Sequence, residues 1–400
     1  MPVMMRRCTI LAFALGALCM QAAHSLWPES EAEAGSRNLN RAGFDAALHT
    51  VLDRYVDPVE ASPVLAESLK RIVSGLDSYS HFLTAEERKQ IRDRSRGGTT
   101  GMAMKLHRAE PGSRKPASLE VTAVLPDSPA QRAGLQPGDQ LLKIGGEEVA
   151  FLLSQAEAEA LLLGSDGETI ELTVQRRSDP APAPATLVLT GQPGKVVDGY
   201  LVERSGRKLA HLRVRAFRSG TADLVKRNLK ELRRAAGTEL AGVILDLRGN
   251  PGGDVHEAVM IADMFVSEGV LVRTRGRGGH ILREERAHPD GSDTDVALVV
   301  LQDHGSASAS ELLAVALQDH GRARVVGERS YGKGTVQDVI GMHDGSQLTL
   351  TIARYFSPKD RLIDGNGVEP DLLAPSVLSN GVDAALESAL TELVRAPKAG

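Results

Sequence analysis

Three serines alternate with alanines in Gly305-Ser-Ala-Ser-Ala-Ser-Glu311, and a lysine follows between two glycines in Gly327-Glu-Arg-Ser-Tyr-Gly-Lys-Gly334. The middle serine, Ser308, suits two jobs. As structure, Ser308-x-x-Glu311 is a capping box, in which the serine accepts the N–H three residues on and the glutamate reaches back. As chemistry, a hydroxyl at a helix N-terminus, flanked by small alanines, lies beside orphan N–H groups and a positive dipole end that favour a developing oxyanion. The spacing leaves both open. Lys333 is ambiguous too, since lysines between glycines are commonly just solvated. A lysine that must take a proton from serine needs its pKa lowered from about 10.4 toward ~7–8, which requires roughly 4 kcal/mol of desolvation or neighbouring field. A closed, Gly-rich pocket could supply that.

These side chains are positioned by elements the pattern also shows. Val296–Leu301 is a short apolar run that reads as a strand buried on both faces, and Glu311–Asp319 carries apolar residues at helical spacing. The serines therefore occupy a strand-to-helix turn. Ala323–Gly327 predicts another strand, so the lysine loop ends near the same sheet edge. Further back, Leu209–Val214 alternates like a strand, Thr221–Ala235 is an amphipathic helix, and Gly242–Leu247 is a buried strand. The loop Arg248-Gly-Asn-Pro-Gly-Gly-Asp254 then leads into a helix through Phe265. Strand, Gly-rich loop and helix thus occur twice. In an open α/β sheet such loops gather at the carboxyl ends of the strands, where ligands bind.

Ser-Ala-Ser-Ala-Ser-Glu, Gly-Lys-Gly-Thr-Val-Gln337 and Asn250-Pro-Gly-Gly253 together resemble the motifs of the C-terminal processing (tail-specific) serine peptidases. The resemblance spans most of the mature chain and implies a Ser/Lys dyad assisted by Gln. It makes Ser308 the nucleophile, Lys333 the general base and Gln337 the group that orients the lysine. It also implies an oxyanion hole from the N–H of Gly252 or Gly253 and that of Ala309. Asp246 and Arg248 are read as fixing the loop. Tyr355–Ile363 and Gly365–Asp371 resemble the closing segment of that family.

The family also carries an embedded PDZ domain, and residues 97–191 look like one. Ser128-Pro-Ala-Gln-Arg-Ala-Gly-Leu-Gln-Pro-Gly-Asp139 matches its turn signature, and Gly101-Met-Ala-Met-Lys-Leu106 resembles its carboxylate-binding loop and strand. Such domains take an extended peptide as an added strand and hold its terminal carboxylate on backbone N–H groups. Here that implies Gly101, Met102, Ala103 and Met104, with Leu161 and Leu162 of a helix Gln155–Leu163 lining the groove. The expected fold is multidomain, α/β and α+β. It comprises a leader at 1–25, a helical region at 26–96, the mostly-β PDZ domain, an α/β peptidase core at 192–376 built from strand-loop-helix units, and a C-terminal helix and tail at 377–400. In Gly75-Leu-Asp-Ser-Tyr-Ser80 the family usually has Pro and His where this chain has Ser78 and Tyr79, a departure to which the sequence attaches no catalytic meaning.

Composition bounds the rest. With 42% hydrophobic and 25% charged residues and a net charge of −5, the chain is globular and is not patterned for nucleic acid. Arg6 and Arg7, the apolar run Cys8–Met20 and Ala23-His-Ser25 form a leader, which predicts export to the periplasm; left uncleaved it would anchor the chain in the membrane. Both cysteines lie in that leader, leaving the mature chain no disulfide and no thiol nucleophile. Gly327-x4-Gly332-Lys333 lacks the Ser or Thr a phosphate loop needs next, and no zinc-peptidase His-Glu-x-x-His occurs. Ser330-x-x-Lys333 makes Ser330 a second candidate nucleophile, although Gly332 disfavours the helical turn that pairing requires. His304 reads as a surface residue. The expectation is an exported serine endopeptidase, without metal or organic cofactor, that recognises the C-terminal tails of protein substrates. The alternative is a PDZ scaffold whose core is inactive or gated. The resemblance also allows self-assembly and an adaptor protein.

Overall fold

The computed structural model describes residues 40–94, 98–107, 116–124, 128–152, 154–165, 167–177, 179, 181–191, 196–237, 240–290, 293–375 and 383–395. The leader, with both cysteines, and the tail past 395 lie outside them. The chain divides into two units, one ending at Val64 and one beginning at Leu65. In the first, helix Arg41–Arg54 starts at Asn40, whose side chain accepts the Gly43 N–H at 2.8 Å. It buries none of its own side chains.

In the second unit, the sheet that carries the serine turn has six strands. The hairpin Val197–Arg204 and Arg207–Val214 is antiparallel, and then Gly242–Asp246, Leu298–Gln302, Arg324–Gly327 and Leu372–Leu373 follow in parallel. Gly242–Asp246 and Leu298–Gln302 are buried at every position, as continuous apolar runs in a covered parallel sheet should be. Helices Thr221–Ala236, Val255–Asp263 and Ala309–Asp319 cover one face, where Val225, Leu229, Ile261, Leu312 and Leu317 form the main core. Helix Ala384–Arg395 covers the other, packing Ala385, Ala389, Leu390 and Leu393 on Leu209, Ile244, Val299 and Val326. Burying one such leucine contributes about 2 kcal/mol.

Three further sheets, one of them a two-stranded clasp, are found among the described residues. Gln347–Phe356 pairs with Thr335–Gly341, with Val270–Gly276 and with His81–Leu83, a short strand that interrupts the helical run expected before residue 96. Met102–His107, Ser118–Val124, Gln140–Ile144, Thr169–Gln175 and Ala183–Val188 form an antiparallel sheet around Leu119, Val121, Leu141 and Val174. Helix Gln155–Leu161 lies against it, two residues shorter than its apolar pattern suggests. Gly98–Thr99 pairs with Thr190–Gly191, so this sheet's chain enters and leaves at one clasp.

Candidate active site

Ser308 is the N-cap of helix Ala309–Asp319 and adopts φ 55°, ψ −116°. That is the corner a type II′ turn reserves for glycine. The other two non-glycine residues with positive φ among those described, Ser205 and Asp360, lie in turns, Ser205 in that of the hairpin Val197–Arg204 and Arg207–Val214. A strained, sharp strand-to-helix turn is how an exposed nucleophile is presented at a sheet edge.

The alternating serines have divided roles. Ser306 and Ser310 are buried, and each donates its hydroxyl to the neighbouring loop, Ser306 to the Leu247 carbonyl at 2.9 Å and Ser310 to the Asn250 carbonyl at 2.8 Å. Ser308 is half-buried between them. The flanking alanines are both buried, and Ala307 donates its N–H to the same Asn250 carbonyl at 3.0 Å.

Glu311 joins the serine turn to the lysine loop. Its buried carboxylate accepts four donors. The Ser330 hydroxyl and the Gly332 N–H reach Oε1 at 2.5 and 2.6 Å, and the Ser308 and Lys333 N–H groups reach Oε2 at 2.7 and 2.9 Å. The backbones of Ser308 and Lys333 therefore meet on one oxygen. Burial raises the Glu311 carboxyl above its usual range, against the pull of those donors. The glycines beside Lys333 have a steric reason. A Cβ on Gly334 would sit 2.3 Å from the Asp364 nitrogen, and Gly332 adopts φ 91°.

The glycine loop supplies the third part. A Cβ on Gly252 would approach the Ser308 Cβ to 2.8 Å and the Ala309 nitrogen to 3.0 Å, so only glycine lets the loop lie against the serine. The Gly252 N–H is already donated to Asn250 Oδ1 at 2.9 Å. Gly253 forms a parallel bridge with Phe217 through its neighbours' groups, and among the described residues no hydrogen bond takes its own N–H. Of the expected pair, Gly253 thus keeps the available donor. Asp246 and Arg248 brace this loop. The Arg248 fork donates to both Asp246 oxygens at 2.9 and 2.6 Å, and His211 adds a contact at 3.1 Å. Burial alone would raise the Asp246 carboxyl, yet Arg248 and His211 outweigh it and hold it well below the usual carboxylate range. A depressed carboxyl contributes stability that is present above its unfolded value, near 3.9, and is lost as pH falls below it. Asp246→Asn is expected to destabilise the fold by about 3 kcal/mol in urea unfolding at pH 7. That deficit should shrink below about pH 4; a deficit constant down to pH 3 would contradict the assignment.

Other expected residues fall differently. Gln337 donates its amide to Thr335 Oγ1 at 2.7 Å and Thr351 Oγ1 at 3.3 Å, and among the described residues no hydrogen bond joins its side chain to Lys333. Ser330 spends its hydroxyl between Glu311 and the Val368 N–H, 2.7 Å away, which leaves the second candidate nucleophile a buried tie. His304 is half-exposed at 3.7 Å from Glu328.

A cavity of about 270 Å³ runs from the antiparallel sheet to the serine, glycine and lysine loops, lined by Met102, Ala103, Met104 and Leu162 on one side and by Pro251, Ala307, Tyr331 and Lys333 on the other. Gly101 turns the chain into it at φ 64°. Leu161 is the correction. One helical residue away from Leu162, it points about 100° round and lines a separate cavity with Leu83 and Ile91. Two strand-pairing groups of Met102–His107 on the side of helix Gln155–Leu161, the Leu106 N–H and the Met104 carbonyl, are occupied. Gln155 accepts the Leu106 N–H at 2.9 Å and donates to the Met104 carbonyl at 3.1 Å, and the Tyr331 hydroxyl donates to that carbonyl at 3.0 Å. Gln155, Tyr331 and the fourfold role of Glu311 were not readable in advance, because each depends on which segments the fold brings together.

Residues 208–374 match Peptidase family S41, and residues 120–176 match the PDZ domain family. The chain is 31% identical over 339 residues to the carboxy-terminal-processing protease of Bartonella bacilliformis, covering 84% of this chain and 75% of that one. It is 33% identical over 325 residues to the chloroplastic carboxyl-terminal-processing peptidase 2 of Arabidopsis thaliana, covering 79% of this chain and 61% of the relative. The solved structure of the photosystem II D1 C-terminal processing protease superposes with a TM-score of 0.71 at 27% identity, over 90% of this chain and 93% of that one.

Proposed function

The chain belongs to peptidase family S41, the carboxyl-terminal-processing serine proteases, and from that premise we propose that it is an exported endopeptidase that cleaves protein substrates through an acyl-enzyme on Ser308, with Lys333 as general base. Lys333 takes the Ser308 proton as Oγ attacks the scissile carbonyl carbon. The oxyanion that forms is met by the N–H groups of Gly253 and Ala309. As the peptide C–N bond breaks, the lysine returns the proton to the leaving amine, and a water that it then deprotonates releases the acyl group. The family role expected of Gln337, orienting Lys333, would require its amide to leave Thr335 and Thr351, to which it donates in this structure. The observation that carries this reading is the shared Glu311 Oε2, which seats the backbones of nucleophile and base side by side.

Substrate selection fits the groove lined by Met102, Ala103, Met104 and Leu162, with the substrate's tail added as a strand to Met102–His107. The leader fits export to the periplasm, or anchoring there if it is kept. The test is turnover of a protein with a free apolar C-terminus by the wild type, Ser308→Ala and Lys333→Ala. Cleavage by Ser308→Ala at the wild-type rate would end the proposal.

One observation favours a second reading, a core gated in its resting form: Gln155 and Tyr331 hold the groups a tail would pair with. Gln155→Ala frees the Leu106 N–H and leaves the Met104 carbonyl to Tyr331. A peptide with an apolar C-terminus should then bind about fivefold tighter by fluorescence anisotropy. Unchanged affinity would place the tail elsewhere.

A further inference from the structure

The turn Leu76–Ser80 belongs to neither catalytic loop, yet its aromatic side chain faces the lysine. Lys333 Nζ lies over the Tyr79 ring, 5.1 Å from its centroid. That is inside the ~6 Å over which a ring quadrupole attracts a cation. The ring is held from its own backbone. Asp77 Oδ1 accepts the Tyr79 and Ser80 N–H groups at 2.8 and 2.7 Å, and Asp77 Oδ2 accepts the Ser80 hydroxyl at 2.8 Å. Ser80 Oγ accepts the Thr351 N–H at 3.0 Å, on the strand that pairs with the one following Lys333. The far end is held as well, for the Tyr79 phenol lies against that of Tyr331, whose hydroxyl donates to the Met104 carbonyl. Burial pushes both phenols up, so they stay neutral donors at any pH a protease works at. The charged groups nearby are Glu159, which lines the same cavity, Glu311 beneath the loop, Asp364 in the closing segment and Lys105 stacked on Tyr331 at 5.5 Å.

We propose that Tyr79 is a positioning residue of the proteolytic reaction, its ring face seating Lys333 Nζ at the cavity wall shared with Ala307 and Pro251. The proposal rests on Lys333 being the base. A free lysine chain has three rotatable donors on a long stem and loses much rotamer freedom when fixed. A rigid ring removes that search. It also favours the cation that Lys333 becomes as it takes the serine proton, which is where stabilisation accelerates the step.

Two variants and one spectroscopic signal test it. Tyr79→Phe keeps the ring and should hold kcat within about threefold. Tyr79→Leu removes the ring and should lower kcat about 10- to 100-fold with KM within about twofold. In reductively 13C-methylated wild-type protein, the Lys333 methyl resonance, identified by its loss in Lys333→Arg, should lie upfield of the bulk lysines through the ring current. It should stay there in Tyr79→Phe and return to the bulk position in Tyr79→Leu. A wild-type Lys333 resonance at the bulk position overturns the proposal, as does an unchanged kcat in Tyr79→Leu or a Phe variant as impaired as Leu. If Tyr79→Leu does not fold, the wild-type resonance decides. Cleavage retained by Ser308→Ala would remove the catalytic reading while the ring-current shift still reported the seat, so the two failures are distinguishable.

Discussion

Ser308→Ala is expected to lower kcat at least about ten-thousandfold, on the scale seen when the nucleophile of a serine protease is removed. Residual rate would come from the oxyanion donors and from substrate binding. Lys333→Ala should cost nearly as much, and the double variant little more, because groups that act as a unit do not contribute additively. The measurement is single-turnover cleavage of a protein with an apolar tail, alongside thermal unfolding to show that each variant is folded. Ser330 would be a poor heir if Ser308 proved dispensable, since its hydroxyl is closed between Glu311 and Val368. Alanine keeps a Cβ at φ 55° and so keeps the strain, whereas Ser308→Gly should be as inactive yet more stable by about 1 kcal/mol.

Glu311→Gln carries the second large effect. The carboxylate receives three amide N–H groups and one hydroxyl, all donors. An amide offers one acceptor oxygen and presents its NH2 to the remaining donors, which leaves at least one of them facing another donor in a buried site. Destabilisation of about 3–5 kcal/mol should follow, as when one member of a buried charged network is lost. Because Oε2 spaces Ser308 against Lys333, kcat should also fall about a hundredfold, from misplacement rather than from lost chemistry. A folded Glu311→Gln with wild-type kcat would mean that the two loops are spaced by something else.

The strand-loop-helix units were legible because buried parallel strands read as unbroken apolar runs and helices as 3.6-residue stripes, and both survive without tertiary knowledge. The serine turn was legible as a place but not as a division of labour. Nothing in Ser-Ala-Ser-Ala-Ser says which hydroxyls will face Leu247 and Asn250, since that depends on a loop more than fifty residues upstream. Glu311 announced a capping box, which is the local half of its role, while its bonds to Ser330, Gly332 and Lys333 are long-range. Leu161 and Leu162 were paired in expectation because both are apolar, and the helix turns them to different cavities. Tyr79 was read as a neutral departure because its partner lies 254 positions away (333 − 79).

The short strand His81–Leu83 bears on how the protein is made. Ser80 and Thr351, whose bond ties that strand's start to Gln347–Phe356, stand 271 positions apart. The groove sheet, clasped at 98–99 and 190–191, lies wholly between them. During synthesis the groove can close on its own contacts while His81–Leu83 still waits for Gln347–Phe356 to leave the ribosome, the kind of distant pairing that folds slowly. Lys333 and Tyr79, which flank that late pairing, would therefore meet among the last events of folding.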